Sequence, residues 1–171
     1  MTRPSPSQPP AGAAAPPSRP DVDVSVLVPV LDEAGTVLDL ARRVRDAIVP
    51  LGLSYEIIFV DDGSRDATCE RVREARALDP QVKLVRLRRN FGKAAALTAG
   101  FDIAAGRLVV TLDGDLQDDP DEIPRMLETL EKGGFDLVSG WKHERKDPLS
   151  KTLPSLLFNW ATRKVAQVDL H

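Results

Sequence analysis

Three oxygen-bearing side chains, Asp113, Asp115 and Gln117, alternate within LVVTLDGDLQDDPDEIP, where an apolar run passes into six carboxylates in the ten residues from Asp113 to Glu122. If strand direction persists into the turn, alternate side chains face the same way, and two or three of them can meet one hard cation. Mg²⁺ and Mn²⁺ keep open positions for phosphate oxygens, so such a cluster suits a diphosphate site. An ordinary acidic loop is the plain alternative. Laid on a calcium-binding EF-hand template from Asp113, the sixth position is Asp118 where glycine is needed and the twelfth is Pro124 where glutamate is needed, which excludes that reading. An aspartyl-phosphate phosphatase is a poor match too, because its Asp-x-Asp pair follows the first strand of the domain and this one follows the fourth.

The remaining acids of the stretch sort by position. Asp121 and Glu122, next to Pro120, suit the positive end of a helix. Asp118 and Asp119 are expected to be solvated loop residues. Two further polar stretches carry chemistry. In FVDDGS, a carboxylate at a strand end can accept from ribose hydroxyls or a base N–H, although Asp61 and Asp62 could equally serve the backbone of a turn around Gly63. No G-x-G-x-x-G and no G-x-x-x-x-G-K-[ST] occurs, so dinucleotide-binding and P-loop readings lose their support. RLRRNFGK adds Arg88, Arg89 and Lys93, positive groups that would balance a diphosphate and the acids around it.

The elements that must position these residues alternate in type. Short β-branched runs at 24–30, 56–60, 83–87, 108–112 and 136–139 predict five strands, and the patterns at 36–49, 67–78, 93–105 and 121–132 predict helices long enough to cross between parallel strands. The fold class is α/β, a mostly parallel sheet with helices on both faces. Asp66 can cap the second helix, Gly133-Gly134 can end the fourth, and the small residues Ala94, Ala95, Ala96, Ala99 and Gly100 let the third pack close to the sheet. Ligands of open α/β sheets bind outside the carboxyl ends of the strands, so all the polar stretches above are expected on one edge.

Length and composition set the frame. A chain of 171 residues, 42% hydrophobic and 29% charged, can bury one sizeable core. Residues 1–20, rich in Pro and Ala, are expected to be a disordered tail, 21–140 the folded domain and 141–171 a basic segment. The net charge of −3 is uneven: 21–140 holds 15 Lys and Arg against 23 Asp and Glu, whereas 141–171 holds 6 against 3. Within that last segment LPSLLFNWATRKVAQV has the spacing of an amphipathic helix, which could pack on the sheet or lie on an anionic membrane surface. The single cysteine, Cys69, excludes an internal disulfide and fits a reducing compartment. No window reaches the roughly 18 to 20 apolar residues of a membrane span, and the first twenty residues lack the apolar core of a secretory signal, so the expectation is a chain neither inserted nor exported. No nucleic-acid partner is expected.

Five segments in order, VLVPVLDEAGTV, IIFVDDGSRDAT, RRNFGKAAALTAGFDIAAG, VVTLDGDLQDDPDEIP and VSGWKHERKDPLSKTLPSLLFNWATRKV, together resemble the family-2 glycosyltransferases of A-type, Rossmann-like nucleotide-sugar-binding fold. More narrowly, they resemble the enzymes that load a sugar onto a polyprenyl phosphate such as dolichol or undecaprenyl phosphate. The resemblance implies an inverting, metal-dependent transfer from a UDP- or GDP-sugar, with Mg²⁺ or Mn²⁺, at the cytoplasmic, inner face of a membrane. It places Pro29, Leu31, Glu33, Val60 and Asp62 on the base and ribose of the donor. Asp113, Gly114, Asp115 and Gln117 fall at the metal and diphosphate site, with Asp113, Asp115 and Gln117 as metal ligands and Asp113, Asp115 and Lys142 as the catalytic set. Lys142 stands where relatives usually carry an arginine near the phosphate, which keeps the charge and loses the bidentate geometry. Leu31 and Asp32 stand where many relatives read Tyr-Asn. A second reading within the family is transfer to a sugar hydroxyl in polysaccharide synthesis; the resemblance also implies a chain incomplete at its C-terminal end, which leaves an inactive nucleotide-sugar-binding fragment as a further alternative.

Overall fold

The computed structural model describes residues 22–140. Four strands, β1 (Val22–Val30), β2 (Tyr55–Asp61), β3 (Val82–Arg86) and β4 (Gly106–Thr111), form one sheet in the order β3-β2-β1-β4. Every pairing is parallel, with Leu27 opposite both Ile58 and Thr111. Four α-helices make the connections and the exit: α1 (Val37–Ile48), α2 (Thr68–Leu78), α3 (Lys93–Ile103) and α4 (Ile123–Gly133). The two inner strands are apolar almost without break because both of their faces are covered. Val24, Val26, Val28 and Val30 of β1 join one buried cluster with Leu40, Val44 and Ile48 of α1, Val72 of α2 and Ile123 and Leu127 of α4. On the opposite face Leu27, Ile58 and Val60 pack with Ala96 of α3. There the small residues expected to allow close approach do so: a Cβ on Gly100 would lie 3.2 Å from Val60 Cγ2. Fully buried Phe59, Leu27, Leu40, Ile57 and Ile58 each stabilise the fold by about 1.5–3 kcal/mol relative to exposure.

The four predicted helices and the first four predicted strands are present to within about two residues. The fifth strand is not. Residues 136–139 pair with no strand among the described residues, and Leu137 is 82% exposed. Two apolar residues, Leu137 and Val138, carried that expectation, and an alternation this short specifies neither a partner nor a register. The chain divides into two compact units, the first ending at Asp136 and the second beginning at Leu137. The fourth helix also starts later than predicted: a single 3-10 turn at Pro120–Glu122 precedes it, and Asp119 caps that turn by accepting from the Asp121 amide at 3.1 Å. Its end is as expected, with the Gly134 amide on Glu131 and the Phe135 amide on Leu130. The 1–20 segment, Lys142 and the amphipathic pattern at 154–165 lie outside the described residues. No helix among the described residues is long and apolar enough to cross a membrane.

Candidate active site

The chain leaves β1 toward β2 on one side and returns to β4 on the other, so the strand order reverses between β1 and β4. Loops leaving two neighbouring strand ends in opposite directions open a crevice between them. A cleft of about 270 Å³ lies there. Its walls are Pro29, Val30, Leu31 and Glu33 from β1 and its loop, Asp62 after β2, Asn90, Gly92 and Lys93 at the start of α3, and Asp113, Gly114 and Asp115 after β4.

Each wall is fixed by hydrogen bonds from a neighbouring loop. Asp32 adopts a left-handed backbone (φ 56°), donates its amide to Ser64 Oγ, and accepts from the Arg65 amide at 2.7 Å. The Glu33 amide donates to Thr68 Oγ1. Thr36 stands at the N-cap position of α1 without a side-chain capping bond; its hydroxyl instead donates to the Gly114 carbonyl at 2.6 Å and so ties the β1 loop to the β4 loop. Asp62, 4% exposed, accepts from the Phe91 and Gly92 amides at 2.7 and 2.8 Å and pins the entry to α3. Gly63 makes that closeness possible, since its φ is +85° and a Cβ there would lie 2.7 Å from the Arg89 carbonyl carbon. Gly114 has the same duty on the β4 side, where a Cβ would lie 2.9 Å from Val30 Cγ1.

The β4 loop is folded on itself. Asp118 Oδ2 accepts from the Asp113 amide at 3.0 Å, Asp115 Oδ1 accepts from the Gln117 amide at 3.0 Å, and Leu116 between them has φ 60°. A leucine in that region costs about 1–3 kcal/mol, a strain that the rest of the loop must hold. Asp118 and Asp119 are therefore not solvated bystanders: Asp118 closes the loop, and Asp119 joins Asp121 on Arg43 of α1. An Asp-Pro pair ahead of a helical run is a start signal that could have identified Asp119. Asp118 carries no such signal, because its partner is set by the loop's closure.

Of the residues singled out from the sequence, the fold brings Pro29, Leu31, Glu33, Asp62, Asp113, Gly114 and Asp115 into one cleft. Val60 is placed elsewhere: it is 1% exposed, with its side chain in the cluster under α3, because alternation along β2 puts it on the face of the sheet that α3 covers. Gln117 is exposed and does not line the cleft. Asp61 serves the fold, accepting from the Ser64 amide and from the buried Cys69 thiol, whose pKa burial and Asp61 push up to about 11. Asn90 and Thr36, unremarked in the sequence, belong to the site or its support. Lys142 lies outside the described residues.

Electrostatically the cleft is short of positive charge. Four carboxylates line it, and burial together with the charge of Asp115 holds the Glu33 carboxyl above its usual range. The donor set at Asp113 and Asp115 is hard oxygen, which fits Mg²⁺ or Mn²⁺. Among the described residues no group of three His, Cys, Asp or Glu closes around a metal position. A cation held by two carboxylates would retain open positions, the arrangement that substrate oxygens require.

The chain is 41% identical over 152 residues to the dodecaprenyl-phosphate galacturonate synthase of Rhizobium johnstonii, covering 88% of this chain and 45% of that protein. It is 42% identical over 149 residues to the undecaprenyl-phosphate 4-deoxy-4-formamido-L-arabinose transferase of Pseudomonas aeruginosa, covering 86% and 44%. The chain thus spans less than half the length of these relatives. A mannosyltransferase from Pyrobaculum calidifontis, solved in complex with GDP-Man and Mn²⁺, superposes with a TM-score of 0.53 at 28% identity over 69% of this chain and 35% of that one. Residues 25–167 match the family described as Glycosyl transferase family 2. With its parallel sheet, switch-point cleft and paired carboxylates after β4, the chain belongs to glycosyl transferase family 2.

Proposed function

We propose that the chain carries the donor-binding part of an inverting glycosyltransferase that moves a sugar from a UDP- or GDP-sugar to a polyprenyl phosphate at the cytoplasmic face of a membrane. The observation that carries this reading is the convergence of Glu33, Asp62, Asp113 and Asp115 with the apolar Pro29 and Leu31 at the switch point of the sheet. Two relatives whose names contain dodecaprenyl-phosphate and undecaprenyl-phosphate support the acceptor class.

The residues divide the work. Pro29 and Leu31, the latter 41% exposed, offer an apolar surface for the base. Glu33 and Asp62 supply acceptors for ribose hydroxyls or base N–H groups. Asp113 and Asp115 would hold Mg²⁺ or Mn²⁺, which when bound would neutralise the charge that develops on the departing diphosphate. Because a polyprenyl phosphate is already an anion, its oxygen can attack the anomeric carbon without a general base. Attack opposite the leaving group forms one C–O bond as the other breaks, and the configuration inverts. The basic residues of 141–171, Lys142 among them, are assigned to the acceptor phosphate and an anionic membrane surface.

The decisive experiment measures sugar transfer to undecaprenyl phosphate from UDP- and GDP-sugars by the chain and by Asp115→Ala. The expected outcome is an inverted product and a loss of about a hundredfold or more in the variant. A product with retained configuration, or undiminished transfer by Asp115→Ala, would sink the reading.

A further inference from the structure

Among the described residues that line the cleft, Lys93 is the single cation. Its ammonium lies 2.5 Å from Asp113 Oδ1 and bridges the start of α3 to the loop after β4. The position is fixed from below, because Gly92, the preceding residue, donates its amide to the buried Asp62. The pair is reached by solvent: the two side chains are 60% and 38% exposed, and such ion pairs are weak and easily opened. Arg89, by contrast, stacks its guanidinium over the Phe91 ring at 4.4 Å and is not part of the cleft wall.

A divalent cation bound at Asp113 would compete with Lys93 for that carboxylate. We infer that Lys93 is an exchangeable counter-ion: it neutralises Asp113 while the cleft is free of metal, and transfers its ammonium to the diphosphate of the donor when a divalent cation takes over that carboxylate. This rests on the donor-site reading above. Lys93 is then a positioning residue that couples the arrival of metal and diphosphate, since each draws the ammonium off Asp113 in the direction the other requires. The exchange breaks no covalent bond and moves no proton.

Calorimetric titration of the chain with Mn²⁺ alone, and with inorganic pyrophosphate at saturating Mn²⁺, tests the inference without any turnover. In Lys93→Met, which removes the charge and keeps most of the length, Mn²⁺ should bind more tightly by on the order of tenfold, because a like charge beside the ligand is gone. Pyrophosphate should bind more weakly by on the order of tenfold, and Lys93→Arg should restore most of that loss. Mn²⁺ affinity that is unchanged or reduced in Lys93→Met, or pyrophosphate affinity that is unchanged, overturns the inference and leaves an ordinary surface pair. Asp115→Ala separates the two readings. If it abolishes Mn²⁺ binding while Lys93→Met changes nothing, the site stands and the role of Lys93 falls; if Mn²⁺ binds Asp115→Ala as well as wild type, the site reading falls and the inference with it.

Discussion

Both ends of the sheet hold carboxylates beside strand termini, and the two ends treat them in opposite ways. At the amino end Glu56, 1% exposed, accepts from Ser25 Oγ at 2.5 Å and from the Ala105 amide at 2.7 Å, and forms an ion pair with Lys83. Burial pushes this carboxyl up, and those partners more than reverse the effect, leaving it below its ordinary value. At the carboxyl end Glu33 lacks such a set of donors, and burial and Asp115 hold it above its ordinary value. Glu56, which serves the fold, is given donors; Glu33, which lines the cleft, is left facing the negative charge of Asp115. The carboxyl end bears further cost in the left-handed backbones of Asp32 and Leu116.

The contrast can be broken most severely by exchanging which property each end controls. Asp115→Ala should abolish Mn²⁺-dependent binding of a nucleoside diphosphate and cut transfer by about a hundredfold or more, with the urea unfolding midpoint unchanged or raised. Glu56→Ala should do the reverse, lowering stability by about 3 kcal/mol in urea unfolding, because Ser25 and Lys83 lose a buried partner, with ligand affinity intact in the folded fraction. A variant at one end that shifted both quantities equally would erase the distinction.

Acid dependence sharpens it. The folded pKa of Glu56 lies below its ordinary 4.5, so its contribution is present above about pH 4.5 and is lost as pH falls through the folded value. The folded pKa of Glu33 lies above 4.5, so its contribution is present below that pH and is lost as pH rises through the folded value. Comparing Glu56→Gln and Glu33→Gln with wild type across pH 3 to 7 by thermal unfolding should therefore give difference curves of opposite slope. At pH 7 Glu33→Gln should gain up to about 1 kcal/mol. Smallest of all, Arg43→Ala removes the ion pairs to Asp119 and Asp121 and should cost about 0.5 kcal/mol, detectable as a slight fall in the unfolding midpoint.

Much of this was legible in the residues. Short β-branched apolar runs mark four strands and the helical patterns between them mark four helices, since each element must turn an apolar side to a neighbour, and the polar stretches after the strands mark the edge where Asp62, Asp113 and Asp115 meet. The segment 136–139 misled because two apolar residues imitate a strand without supplying one to pair with. Val60 differs in another way: the resemblance placed it on the donor, while in the structure its side chain lies in the cluster under α3.

What the sequence determined by itself is therefore the order of the elements, the apolar side of each, and which strand ends carry carboxylates. Tertiary structure alone decided the environment of each charge. Thr36 meets Gly114 across 78 residues, Glu56 meets Ala105 across 49, and Lys93 meets Asp113 across 20. Periodicity is a local quantity, whereas the energy of a charge depends on every donor, ion and water within a few ångströms. That set of neighbours exists only once the sheet is assembled.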